Sequence, residues 1–156
     1  MEERIEASRL IAADAADIFE VLRDPDGHVA IDASGMLQSA SGGPVSAAGE
    51  SFVVHMDREA LGDLPMGRYD VEVRFTTYEP PRAIAWTILG TIKPQIGHVW
   101  GYELAPQENG TLVTSYCDWS NAAPEWKGIF PVVHPQALRA TLGILERTVH
   151  RGYSRG

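Results

Sequence analysis

The sequence predicts an α+β domain in which one antiparallel sheet curves around a long closing helix. Three observations lead there. A strand-like segment followed by two short helical ones opens the chain, period-two alternation runs through its middle, and a helical apolar repeat closes it. A sheet with one apolar face and a long amphipathic helix can each bury that face only against the other, so the sheet bends around the helix.

The elements follow in order. "RIEASRLIA" carries β-compatible residues. In "ADAADIFEVLRDP", Asp14 can cap a helix whose stripe is Ile18, Phe19 and Leu22, and Pro25 stops it. "DPDGHVAIDASGM" reads as a second short helix bounded by Gly27 and by "ASG", with Ser34 and Gly35 favouring a turn. "SASGGPVSAAG" holds glycines without the strand, lysine and helix of a phosphate cradle, and reads as a flexible connection. "ESFVVHM" is an early strand. In "RYDVEVRF", Tyr69, Val71, Val73 and Phe75 share one face while Arg68, Asp70, Glu72 and Arg74 share the other, the mark of a half-buried antiparallel strand. "AIAWTIL", "GHVWGYEL" and "TLVTSYCDW" are three more, separated by turn residues in "EPPR" and "APQENG". "EALGDLPMG" is a connection. The last segment, "HPQALRATLGILERTVHRG", is a helix with Pro135 at its first position, Gly152 at its end, and Leu138, Leu142, Leu145 and Val149 as its buried stripe.

Composition limits the function classes. At 156 residues and 44% hydrophobic content the chain suits one domain, 1–156, with a core that needs no covalent staples. A net charge of −8 disfavours nucleic acid, whose recognition needs clustered Lys and Arg. Cys117 is the single cysteine, which excludes an internal disulfide and a multi-thiolate metal site and suits a reducing cytoplasm. The charged N-terminus is unlike a signal peptide, and no apolar run approaches the ~18 residues of a membrane span, so no membrane insertion is expected. Histidines 28, 55, 98, 134 and 150 show no metal-ligand spacing, and no nucleophile elbow or dinucleotide fingerprint occurs. No metal or cofactor is implied.

"HVAIDASGM" resembles the H-x-x-x-D-G-S-G segment of actinobacterial members of the SRPBCC superfamily labelled polyketide cyclase/dehydrase, with Ala33 in place of the first glycine. "DIFEVLRDP", "GTLVTSYCDW" and "ALRATLGILERTV" are similar to the same family, so the likeness spans nearly the whole chain. The resemblance implies the helix-grip fold of START and birch-pollen-allergen-like proteins: a seven-stranded antiparallel sheet gripping the C-terminal helix around a deep cavity, with two short helices after the first strand. That fold hosts carriers, receptors and enzymes alike, so it does not fix the chemistry.

On that fold, strand alternation assigns the cavity wall. Trp86 and Ile88 share one face with Ile84. His98, Trp100 and Tyr102 share another with Leu104, leaving Gly97 and Gly101 outside, where they would permit bending. For "TLVTSYCDW" the alternation leaves both faces open, and the family likeness favours Val113, Ser115, Cys117 and Trp119 inward. With Leu142 from the helix, these make an aromatic pocket with a few polar tips. The same aromatic residues could equally be plain core. His98 and Tyr102 are the candidates for proton transfer, although a histidine among rings is more often a satisfied core residue. His28 and Asp32, four apart, would be neighbours on one helix face at the cavity rim. Met36 and the apolar loop residues Trp126 and Phe130 would complete that rim.

The expected ligand is an apolar or aromatic small molecule of polyketide, lipid or isoprenoid type, held by a binding or carrier protein. The alternatives are a polyketide cyclase or dehydratase working in the same cavity, and an interaction module of the quinone-binding or toxin-like branch. The edge strands and the Trp126 loop are candidate surfaces for a homodimer.

Overall fold

The computed structural model describes residues 2–59, 66–91 and 93–154. Its elements are β1 (Arg4–Ile11), α1 (Ala15–Leu22), α2 (Pro25–Ile31), β2 (Leu37–Ser41), β3 (Ser51–Asp57), β4 (Arg68–Glu79), β5 (Ala83–Leu89), β6 (Val99–Gln107), β7 (Gly110–Asp118) and α3 (Pro135–Arg151), with a 3-10 turn at Lys127–Ile129. The seven strands form one antiparallel sheet in the order β1-β7-β6-β5-β4-β3-β2. Only β1 is displaced from sequence order: it pairs with the last strand, because two helices must be fitted before the meander begins. Helix α3 packs on β1 and β7 and against α1 and α2. This is the helix-grip architecture. The connection read at residues 59–67 lies largely outside the described residues.

Local chemistry sets the element ends. Asp14 stands at the N-cap of α1, but its backbone carbonyl, not its side chain, accepts from Asp17 and Ile18. Pro25 ends nothing on its own account; it occupies the first turn of α2, and the Asp24 carboxylate accepts from the Asp26 amide. Gly27 lies inside α2, not at its boundary. A Cβ there would come 2.0 Å from the carbonyl oxygen of Val21, so α1 and α2 meet at an angle only glycine permits. The α3 N-cap is His134, whose Nδ1 accepts from the Gln136 amide, and Gly152 ends that helix at φ +77°.

Alternation sorts the strands into a concave and a convex face. Phe52 and Val54 of β3, Val71, Val73 and Phe75 of β4, Ile84 and Trp86 of β5, Tyr102 and Leu104 of β6, and Val113 of β7 turn inward and meet Leu138, Leu142 and Leu145 of α3. Strand β7 thus buries Val113, Ser115 and Cys117, while Leu112 is 39% exposed opposite the exposed Leu10 of β1. Gly101 serves a different purpose from bending. Tyr116 stands directly opposite it, and a Cβ on Gly101 would lie 2.3 Å from that ring. The ring lies over the glycine and carries the Arg4 guanidinium 3.9 Å above its own centroid.

The two faces of β7 and α3 give a direct test. Leu142→Ala, in a fully buried site, is expected to cost about 2–5 kcal/mol in urea unfolding, and Leu112→Ala no more than about 0.5 kcal/mol. Equal losses would overturn the facial assignment.

Candidate functional site

Two aromatic groups fill the concave face. The first is built by β3, β4 and β5 under α2. The His28 ring lies 5.0 Å from Phe52, 5.9 Å from Phe75 and 4.5 Å from Trp86, and Trp86 stacks on Tyr102 at 5.7 Å. Leu142 belongs to the same core, with Ile88 half-buried at its margin. Where the resemblance implies a deep cavity, this part of the interior is ring packed on ring. Two open clefts lie elsewhere: one of about 510 Å³ beside Glu3, Glu6 and Asp118, and one of about 300 Å³ beside Ala30, Arg147 and Tyr153. Neither is lined by Trp86, His98, Trp100, Tyr102 or Trp119.

The second group sits where β6 and β7 meet the segment before α3. Cys117, Trp119 and Ala122 are buried there, with Ile5, Trp100 and Phe130 packed against them. Phe130 stacks on Trp119, centroids 5.3 Å apart and planes 10° apart. The same ring lies 5.3 Å from His98, which meets Trp100 edge-on at 5.7 Å. His98 is not on the strand with Trp100 and Tyr102. It precedes β6, after Gly97 at φ +85°, and its carbonyl accepts from Thr87 Oγ1 at 2.8 Å. His98 is 8% exposed, and its Nδ1 is, among the described residues, the one buried side-chain nitrogen or oxygen with no hydrogen-bond partner. Leaving such an atom unpaired costs about 1–3 kcal/mol.

The expected rim is rearranged. His28 is buried at 5% exposure, with Nε2 on the carbonyl of Leu22 at 2.7 Å. Asp32 does not turn toward it. The helix ends at Ile31, Asp32 takes extended backbone, and its carboxylate accepts from the Ser34 amide and hydroxyl and the Leu37 amide. The i,i+4 argument fails because the helix is seven residues long and Asp32 lies just beyond it. Met36 Sδ accepts from Arg58 Nη1, far from the aromatic loop. Trp126 donates through Nε1 to the Pro94 carbonyl, pinning the loop over the approach to β6. Phe130 moves from expected rim to the middle of the second group.

Burial sets the charge states. It lowers His28 to about 4, against the raising effects of the Leu22 carbonyl and Asp24, and lowers His98 to about 4 unopposed. It pushes the Tyr102 phenol up to about 12, although Ser115 hydrogen bonds to it, and with the Asp118 charge pushes the Cys117 thiol to about 12. Both imidazoles are therefore neutral at pH 7, the phenol keeps its proton, and the thiol is no nucleophile.

The profile of the family described as polyketide cyclase / dehydrase and lipid transport matches residues 2–155. The chain belongs to this family. The structure is similar to a protein from Chromobacterium violaceum (15% identity, covering 96% of this chain and 98% of that one, TM-score 0.69). It is also similar to an AHSA1-like protein from Aeromonas hydrophila (15% identity, 98% and 99%, TM-score 0.61) and to the Aha1 dimer from Colwellia psychrerythraea (17% identity, 97% and 98%, TM-score 0.62). At these identities the likeness shows the fold alone. A comparison with curated proteins gives no match. No helix among the described residues of this polyketide cyclase / dehydrase family member is long and apolar enough to cross a membrane.

The neutral histidines make stability depend on pH. Below 6.5 the unfolded chain takes up a proton at each imidazole that the folded chain refuses until about pH 4. Stability is therefore full above pH 6.5 and falls as the pH drops toward 4. His98→Phe removes one of the two sites, and the loss of unfolding free energy between about pH 7 and about pH 4.5 should shrink by about 2–3 kcal/mol. An unchanged loss in urea titrations would show that His98 is not held neutral.

Proposed function

We propose that the protein binds an apolar or aromatic small molecule in the second aromatic group, between Trp100, Trp119 and His98. Phe130 packs over this group and occupies against Trp119 the place that a planar ligand ring would take on displacing it. The observation that carries the reading is His98 Nδ1: apolar walls with one unpaired polar atom suit a ligand that is hydrophobic over most of its surface and polar at one point. Membership of a family described by lipid transport and polyketide cyclisation supports a hydrophobic ligand.

Binding and carriage fit the electrostatics better than proton transfer. A general acid or base works best with a pKa near the operating pH. Tyr102 and Cys117 are displaced upward to about 12, and His98 downward to about 4. Tyr102 is also stacked on Trp86 in the first group, away from Phe130. The cyclase alternative would have to recruit His98 as a weak base.

Two probes test the reading. 2-Naphthol and naphthalene share an apolar body, and only the first carries a hydroxyl. Tryptophan fluorescence titration should show both binding, with 2-naphthol about tenfold tighter. In His98→Phe that preference should vanish while naphthalene still binds. Failure of both probes to bind the wild type would overturn the proposal.

A further inference from the structure

The convex face carries a hydrogen-bonded chain that the second aromatic group does not use. His55 of β3 and Asp70 of β4 are directly paired across the sheet, and His55 Nδ1 lies 2.7 Å from Asp70 Oδ1. On the other side, His55 Nε2 lies 2.7 Å from Ser41 Oγ at the end of β2. Register explains the meeting. Ser39 stands opposite His55, Ser41 is two residues along on the same outward face, and the bulge between Leu37 and Ser39 sets that phase.

The carboxylate fixes the direction of every bond. An ionised Asp70 can only accept, so Nδ1 carries the proton; in the neutral ring Nε2 is then an acceptor, and Ser41 donates its hydroxyl hydrogen to it. Serine, imidazole and carboxylate thus stand in the order in which a base activates a hydroxyl nucleophile and a third group orients the base. Pinning an edge strand would need only the contact between Ser41 and His55. It would not need Asp70 on the far nitrogen, 64% exposed in its side chain, at the same short distance. Gly42 and Gly43 follow the serine at exposed positions; a Cβ on Gly42 would lie 3.1 Å from the Cβ of Phe52, while one on Gly43 would meet nothing within 4 Å.

We infer that Ser41 is a nucleophile activated by His55 and accepts acyl groups from small activated esters, with Asp70 as a positioning residue. Ser41 Oγ forms a bond to the acyl carbon and passes its proton to His55 Nε2. The carbon–oxygen bond to the leaving alcohol breaks, and that alcohol takes the proton from His55. Water then attacks the acyl-serine, its proton passes through His55 to Ser41 Oγ, and the carboxylic acid is released.

The test uses p-nitrophenyl acetate and peptide mass spectrometry on the folded chain. The expected result is one acetyl group on Ser41, absent in Ser41→Ala, formed on the order of 100-fold more slowly in His55→Gln. Asp70→Asn should also slow it and Asp70→Glu should restore it, which a merely structural contact would not require. Acetylation confined to other residues, or a Ser41 rate unchanged in His55→Gln, would overturn the inference. All three side chains are at the surface, so loss of folding is not expected to confuse the result, and an unchanged urea-unfolding midpoint serves as the control for intact structure.

Discussion

A single neutral imidazole joins the helical and sheet layers. Leu22 is the last residue of α1, and its carbonyl has no partner within that helix. His28 supplies one from α2, through Nε2 at 2.7 Å, while its ring faces Phe52, Phe75 and Trp86. One side chain therefore caps α1, anchors α2 and packs on three strands. Only an uncharged ring can do this among aromatics, and burial keeps it so. A phenylalanine would fill the space but leave the carbonyl unpaired, and an asparagine would pair it but leave the rings without contact.

The closing helix is held by a different kind of contact. Glu146 accepts from the Ala12 amide at 3.0 Å and from Arg9 Nε at 2.8 Å, and His150 Nε2 meets the Ala12 carbonyl at 2.9 Å. Tyr153, just past the helix, donates to the Asp24 carboxylate at 2.6 Å, so the residue that caps α2 also receives the end of the chain. The Glu146 and His150 bonds lie at the surface and contribute modestly one by one, whereas the Tyr153 bond reaches the buried Asp24. Their role is positional. They set where Leu138, Leu142 and Leu145 meet the sheet, and that apolar contact supplies the larger stabilisation.

Much of this was legible in sequence because alternation and helical spacing report on burial, which decides the layers. Six of the seven strands and all three helices were readable from periodicity, β-compatible residues and turn boundaries; the seventh, β2, was implied only by the family resemblance, and its residues 39–41 fall in the segment read as a flexible connection. Its sequence, Leu37–Ser41, is short, polar and at the sheet edge, so it buries too little to leave a pattern. The inward set on β7 likewise needed the resemblance, since Leu112 and Val113 are equally apolar and only packing separates them. The site was less legible. Periodicity put His28 beside Asp32 because it cannot see that a helix ends between them. It could not place Phe130 on Trp119, a contact made through a loop. Nor could it find Ser41, His55 and Asp70, which no local spacing links and which only sheet register brings together.

The two faces of the sheet divide the chemistry for one physical reason. On the concave face, exclusion of water displaces His98, Tyr102 and Cys117 away from neutrality. The burial that favours an apolar ligand there is the burial that disables acid and base work. The convex face has the opposite character. His55 has a 38% exposed side chain and lies within hydrogen-bond distance of a carboxylate and a hydroxyl. The proposed binding of a hydrophobic molecule and the proposed reactive hydroxyl fall on opposite sides of the sheet, because the period-two geometry of strands keeps the two environments apart.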